Sequence, residues 1–111
     1  MREKDIEILL RDEMKKLGGR AYKWISPGNA GVPDRIVVFP GRPPVFVELK
    51  SETGNLTALQ EAQLALLAKL GQSTYVVRGT AGLTGFFEMY GYPEIAAAIR
   101  ARSGKEKQNE I

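Results

Sequence analysis

Three charged residues stand where charges are least expected. Glu48 and Lys50 lie two apart in Val45-Phe46-Val47-Glu48-Leu49-Lys50, a segment otherwise apolar. Side chains alternate faces along a strand, so these two project from the same face. Asp34 opens a second apolar run, Arg35-Ile36-Val37-Val38-Phe39. Paired as a hairpin through the turn Pro40-Gly41-Arg42-Pro43, the two runs bring Asp34 and Glu48 together at one end of a sheet. Neighbouring carboxylates repel each other, and a divalent cation between them removes that repulsion. Lys50 beside them can stabilise developing negative charge or orient a water. Paired acids, a metal and an ammonium are what hydrolysis of a phosphodiester needs. The plainer reading makes Asp34 a turn residue after Pro33, and Glu48 and Lys50 an exposed strand face.

Two further polar residues fall on apolar helix stripes. Glu3 precedes Ile6, Leu10 and Met14 by three, seven and eleven, which places it on the core-facing stripe of the first helix. Glu7, one turn later at the stripe's edge, competes with it. Alternatively, Glu3 is an N-terminal acid favoured by the helix dipole. Thr57-Ala58-Leu59-Gln60 matches a capping box. Gln60 either closes that box and does nothing more, or reaches the acids with its amide. In the same helix Leu56, Leu59, Leu66, Leu67 and Leu70 define an apolar face that contains Gln63, as a core polar group or as a contact to a partner chain.

Composition narrows the chemistry. The chain has no cysteine and no histidine. Disulfides, thiolate metal sites, imidazole ligands and His-dependent nucleophiles are therefore excluded. Any metal must be held by oxygen, which suits a hard cation. The 111 residues make one domain with a modest core. The net charge of +3 is unevenly spread. Lys15 to Lys50 holds Lys15, Lys16, Arg20, Lys23, Arg35, Arg42 and Lys50 against Asp34 and Glu48, the footprint expected for an anionic partner. The N-terminus MREKDIE is too charged for a signal peptide, and no apolar run approaches membrane-spanning length. The expected setting is intracellular and cytoplasmic, with no membrane partner.

The elements that must position these residues follow from period and punctuation. A helix is expected over about Glu3–Leu17, ended by Gly18-Gly19. Arg20–Ile25 reads as a short strand and Ser26–Pro33 as a loop. Arg35–Phe39 and Val45–Lys50 form the hairpin. A helix over about Ala58–Leu70 and a strand over Ser73–Arg78 complete a crossover. Thr80–Arg102 reads as one or two helices broken near Gly91 and Pro93. Ser103–Ile111 reads as a polar, flexible tail after a domain of residues 1–102. The fold class expected is α/β, a single small mixed sheet flanked by helices.

Taken together, GVPDRIVVF, VFVELKSETGNLTALQ and the closing TYVVR resemble the VRR-NUC (virus-type replication-repair nuclease) family of the PD-(D/E)xK superfamily. The resemblance covers about Glu3 to Gly79. It implies a restriction-endonuclease-like core and a metal-dependent nuclease. Asp34 and Glu48 would be metal ligands, with Glu3 as the helix-one acid and the Leu49 carbonyl completing the set. Lys50 would be the catalytic lysine and Gln60 the glutamine of the following helix. Mg²⁺ or Mn²⁺ is the cofactor expected.

Small members of this family resemble Holliday-junction resolvases and act as homodimers. The expectation is therefore a DNA endonuclease selective for branched DNA, acting as a homodimer in a bacterial or phage-infected cell. DNA contacts are expected from Lys15, Lys16, Arg20, Lys23, Ser26, Gly28, Arg35 and Arg42, clustered around the acids. The interface candidates are the second helix with Gln63 and the apolar segment Leu83–Tyr92. Two other readings compete. One is a non-catalytic nucleic-acid-binding module, which the acids argue against, because they hinder phosphate binding. The other is a repair or restriction-like nuclease acting on duplex or flap DNA, for which no base-reading element is present.

Overall fold

The apolar period of the N-terminal segment produces helix α1 (Glu3–Lys16), which buries Ile6, Leu9, Leu10 and Met14. The structure, a computed structural model, describes residues 1–109, the last five of them by their backbone alone. Gly18 (φ 93°) turns the chain after α1. Gly19 then passes so close to β2 that a Cβ would lie 2.4 Å from the Val38 carbonyl oxygen. No other residue fits there without moving a strand. The strands are β1 (Arg20–Lys23), β2 (Arg35–Val38) and β3 (Val45–Lys50). Helix α2 (Ala58–Lys69) leads to β4 (Ser73–Arg78), followed by α3 (Gly79–Met89) and α4 (Pro93–Asn109).

The four strands form one sheet in the order β1-β2-β3-β4. The first three are antiparallel neighbours, and β4 joins β3 in parallel through the α2 crossover. This is the mixed sheet flanked by helices that the sequence predicts. Val37, Val45, Val47, Leu49 and Val77 line one sheet face and pack with α1 and α3. Phe39 anchors an aromatic cluster with Phe86, Phe87, Tyr90 and Tyr92 at ring separations of 4.8–6.4 Å. The segment Leu83–Tyr92 is largely core: Leu83, Phe86 and Phe87 are fully buried, while Met89 is exposed.

Three features differ from expectation. The first strand ends at Lys23, because the chain turns into the Ser26–Pro33 loop sooner. Helix α4 continues through Asn109, well into the stretch expected as a flexible tail; Lys, Glu and Gln there are good helix formers. Helix α2 buries none of its residues fully, and Leu59, Leu66 and Leu70 are exposed. Apolar residues surround this helix instead of forming one stripe, so its outer side stays apolar although only one side meets the sheet.

Candidate active site

The hairpin register sets the acids side by side. Arg35 pairs with Val47 at the last rung of the ladder. One residue beyond it, Asp34 Oδ2 accepts the Leu49 N–H at 2.8 Å, so the carboxylate docks on the β3 backbone between Glu48 and Lys50. The Asp34 carbonyl accepts the Trp24 N–H at 2.9 Å, which ties the same residue to the chain leaving β1.

Glu48 projects from the sheet face opposite the core and is still 1% exposed. Its Oε1 accepts the Gln60 Nε2–H at 2.9 Å and lies 3.9 Å from Lys50 Nζ. Its Oε2 is buried without a hydrogen-bond partner. Burial, then the charge of the neighbouring Asp34, push the Glu48 carboxyl up to about 8. Lys50 opposes the shift and Glu3 adds to it. In the metal-free protein a proton on Glu48 therefore relieves the repulsion that a bound cation would otherwise offset.

Gln60 does both things the sequence left open. It closes the capping box, its Oε1 accepting the Thr57 N–H at 2.9 Å while Thr57 Oγ1 accepts the Gln60 N–H at 3.1 Å. Its remaining amide donors face Glu48. Gly31 makes this approach feasible: in the left-handed region (φ 88°), it packs so that a Cβ would lie 2.6 Å from the Leu59 carbonyl carbon. The loop thus meets the first turn of α2 backbone to backbone.

Among the described residues no three acidic side chains gather into a complete metal cage. The donors present are the orphaned Glu48 oxygen, the Asp34 carboxylate and backbone carbonyls. That set suits Mg²⁺, which takes one or two carboxylates and keeps several waters. Glu3 is exposed and lines an open cleft with Lys4, Glu7, Arg11, Lys23 and Arg35, near enough to the acids for its charge to add to the Glu48 shift. Glu7 is engaged elsewhere, in an ion pair with Arg35.

No family model matches the chain. Over 77 residues it is 43% identical to "Putative nuclease p44" of Acyrthosiphon pisum secondary endosymbiont phage 1, a match spanning 69% of this chain and 83% of that protein. A solved structure described as "VRR_NUC domain" superposes with TM-score 0.72 over 79% of this chain and 96% of that one, at 24% identity. A second, "VRR_NUC domain protein", gives TM-score 0.65 over 86% and 90%, at 18% identity. The chain belongs to the same nuclease family as this phage protein, and its fold is that of the VRR_NUC domains.

In this nuclease the basic residues do not form one cluster around the acids. Arg20 pairs with Val38 at the far end of the sheet, and Arg42 lines the same end in the turn before β3. The step from Asp34 to Val38 is four strand residues, roughly 13 Å. Lys16 pairs with the buried Glu13 at 3.2 Å, and Lys15 is exposed beside it at the C-terminus of α1. Ser26 accepts the Asn29 side-chain amide at 3.0 Å, which shapes the loop that carries Gly28. Arg35 is 8% exposed, donates to the Ala21 carbonyl at 3.0 Å and pairs with Glu7, so it staples β2 to β1 and α1 and is not a free cation. Its burial had a signal: Arg35, Val37 and Phe39 alternate onto one face, and that face is the core.

Proposed function

We propose that this nuclease is a Mg²⁺- or Mn²⁺-dependent DNA endonuclease, with Asp34, Glu48 and Lys50 at its centre. The observation that carries the reading is the buried, unpartnered Glu48 Oε2 beside Asp34. An uncompensated carboxylate oxygen in the interior is costly unless a proton or a cation meets it. Asp34, Glu48 and the Leu49 carbonyl would hold the ion, with Glu3 reaching it from α1. Bound there, the ion supplies a Lewis acid that polarises the scissile phosphate. Gln60 holds Glu48 in orientation through Oε1 and leaves Oε2 for the ion. Lys50, 13% exposed at its side chain, offers an ammonium to the negative charge that grows as the phosphodiester is attacked.

Branched DNA is the proposed substrate and a homodimer the proposed working unit. One chain is too small to engage two duplex arms. The exposed Leu59, Leu66 and Leu70 of α2 give a twofold contact its apolar surface. The proposed setting is the cytoplasm of a bacterium, or of one infected by a phage. A panel of four-way junction, flap, single strand and duplex, each with Mg²⁺, Mn²⁺ or EDTA, tests the reading. Cleavage of the junction in either metal, absent in EDTA, is expected. Equal cleavage of linear duplex by a strict monomer would remove the branched-DNA and dimer proposals.

A further inference from the structure

The sheet face opposite the core is largely open. By register Arg20 and Tyr22 of β1, Ile36 and Val38 of β2, and Phe46 and Glu48 of β3 share it. Trp24 joins them, its ring 5.3 Å from that of Phe46. Helix α2 meets the sheet mainly along β4, at the opposite edge from β1. Tyr22 is consequently 58% exposed, and Trp24, Ile36, Val38 and Phe46 are partly exposed. From Glu48 this face runs past Phe46, Trp24 and Tyr22 to a cleft of about 550 Å³ lined by Arg20, Tyr22, Val38, Gly41 and Arg42. There Arg20 Nη1 donates to the Gly19 carbonyl at 2.6 Å, and the Arg42 guanidinium lies 5.5 Å from the centre of the Tyr90 ring. Both cations are thus held in place with donors to spare.

We propose that this open face is a platform for an unpaired nucleic-acid strand. The bases stack on Trp24 and Tyr22, and Arg20 and Arg42 hold backbone phosphates at the far end. The strand's other end then enters the site at Glu48 and Asp34. The proposal rests on the nuclease reading above, independently of the junction substrate, and adds to it a branched DNA whose unpaired strand the face takes. Exposed aromatics combined with cations are what a single strand uses, because every base has a face to stack and every nucleotide a phosphate. A duplex hides its base faces and would leave Tyr22 and Trp24 without partners. The charge on the face argues against a second copy of the chain. At its far end the face carries Arg20 and Arg42 in a cleft lined by no acid, so a second copy docked there would set these cations against their own counterparts. The span from Asp34 to Val38 accommodates about four nucleotides at the ~3.4 Å rise of a stacked strand.

Trp24 is the only tryptophan in the chain, so its fluorescence reports on this face alone. The full chain is titrated in EDTA with a labelled strand of about ten thymidines, while strand anisotropy and Trp24 emission are followed together. Saturable quenching that tracks the anisotropy is expected, with much weaker quenching by a blunt duplex. Tyr22→Ala, at an exposed position, is expected to weaken strand binding by about tenfold. Arg20→Gln with Arg42→Gln is expected to flatten the salt dependence by roughly 1.4 in log–log slope. Strand binding that leaves Trp24 emission unchanged overturns the proposal. A shift of Trp24 emission with protein concentration alone, showing a second copy on the face, overturns it as well. Quenching without cleavage on adding Mg²⁺ supports the platform while removing the nuclease reading, and cleavage without quenching does the reverse.

Discussion

Gln60 joins the cap of helix α2 to the buried acid of β3. Its Oε1 accepts the Thr57 N–H and its Nε2 donates to Glu48 Oε1, both at 2.9 Å. One amide thereby fixes where the helix begins and how the carboxylate is turned. The two roles are separable. Thr57→Ala removes only the cap, with a stability loss of about 1 kcal/mol and cleavage near wild type. Gln60→Ala loses a similar amount of stability and also releases Glu48, so cleavage should fall at least tenfold. Thermal unfolding and cleavage rates on the two variants check this; equal rates would confine Gln60 to the cap.

Glu48 makes metal-free stability depend on pH. Its carboxyl takes up a proton at about 8 in the folded chain, against an ordinary value near 4.5. Between those values the folded state holds a proton that the unfolded state has lost, so stability declines as pH rises from about 4.5 to about 8. Asp34 and Glu3 drive the shift alongside burial, Lys50 opposes it, and the neutral Gln60 amide completes the surroundings. Glu48→Gln should flatten this decline and unfold at a higher temperature than wild type at pH 8 in EDTA. Thermal melts from pH 5 to 9 measure it; parallel curves for the two proteins would contradict the burial argument.

Glu3 and Glu7 of α1 divide their work. Glu7 partners the nearly buried Arg35, so Glu7→Gln strands a charge and should destabilise the chain by about 2 kcal/mol, less than a fully buried pair because Glu7 is partly exposed. Glu3 is exposed, and Glu3→Gln should leave unfolding unchanged while raising the metal concentration needed for half-maximal cleavage. Denaturant titration and a Mg²⁺ titration on both variants separate the roles. The reverse pattern would make Glu7 the acid of the site.

Much of this arrangement was legible in the residues. The hairpin, the convergence of Asp34 and Glu48, and the placement of Gln60 all follow from strand alternation, turn chemistry and a capping motif, which are local rules. What was not legible depended on packing partners. Periodicity put Glu3 on the stripe of Ile6, Leu10 and Met14, yet Ile6 is fully buried while Glu3, at the first position of the helix, opens onto a cleft. Apolar content suggested a buried face for α2, yet leucines on all sides of a helix do not say which side meets the sheet. Arg20 and Arg42 are near the acids in sequence and at the other end of the strands in space.

Gly31 and Gly71 isolate the contact that seats α2. Both adopt positive φ, 88° and 82°, so alanine strains either by about 1 kcal/mol. A Cβ at Gly71 meets nothing within 4 Å, whereas one at Gly31 collides with the Leu59 backbone. Gly31→Ala should therefore cost clearly more stability and displace Gln60, with cleavage lowered. Gly71→Ala should cleave as wild type. Equal losses in melts and rates would show that the loop can retreat from the helix.

The central claim is that Glu48 and Asp34 hold a divalent ion that cleavage requires. The direct measurement is cleavage of a labelled four-way junction by wild type and Glu48→Gln, with Mg²⁺ and then with excess EDTA. Cleavage by wild type is expected in Mg²⁺ alone, and intact junction with the variant or the chelator while DNA binding persists. Wild-type cleavage that continues in EDTA, or a Glu48→Gln protein that cuts at the wild-type rate, would contradict it.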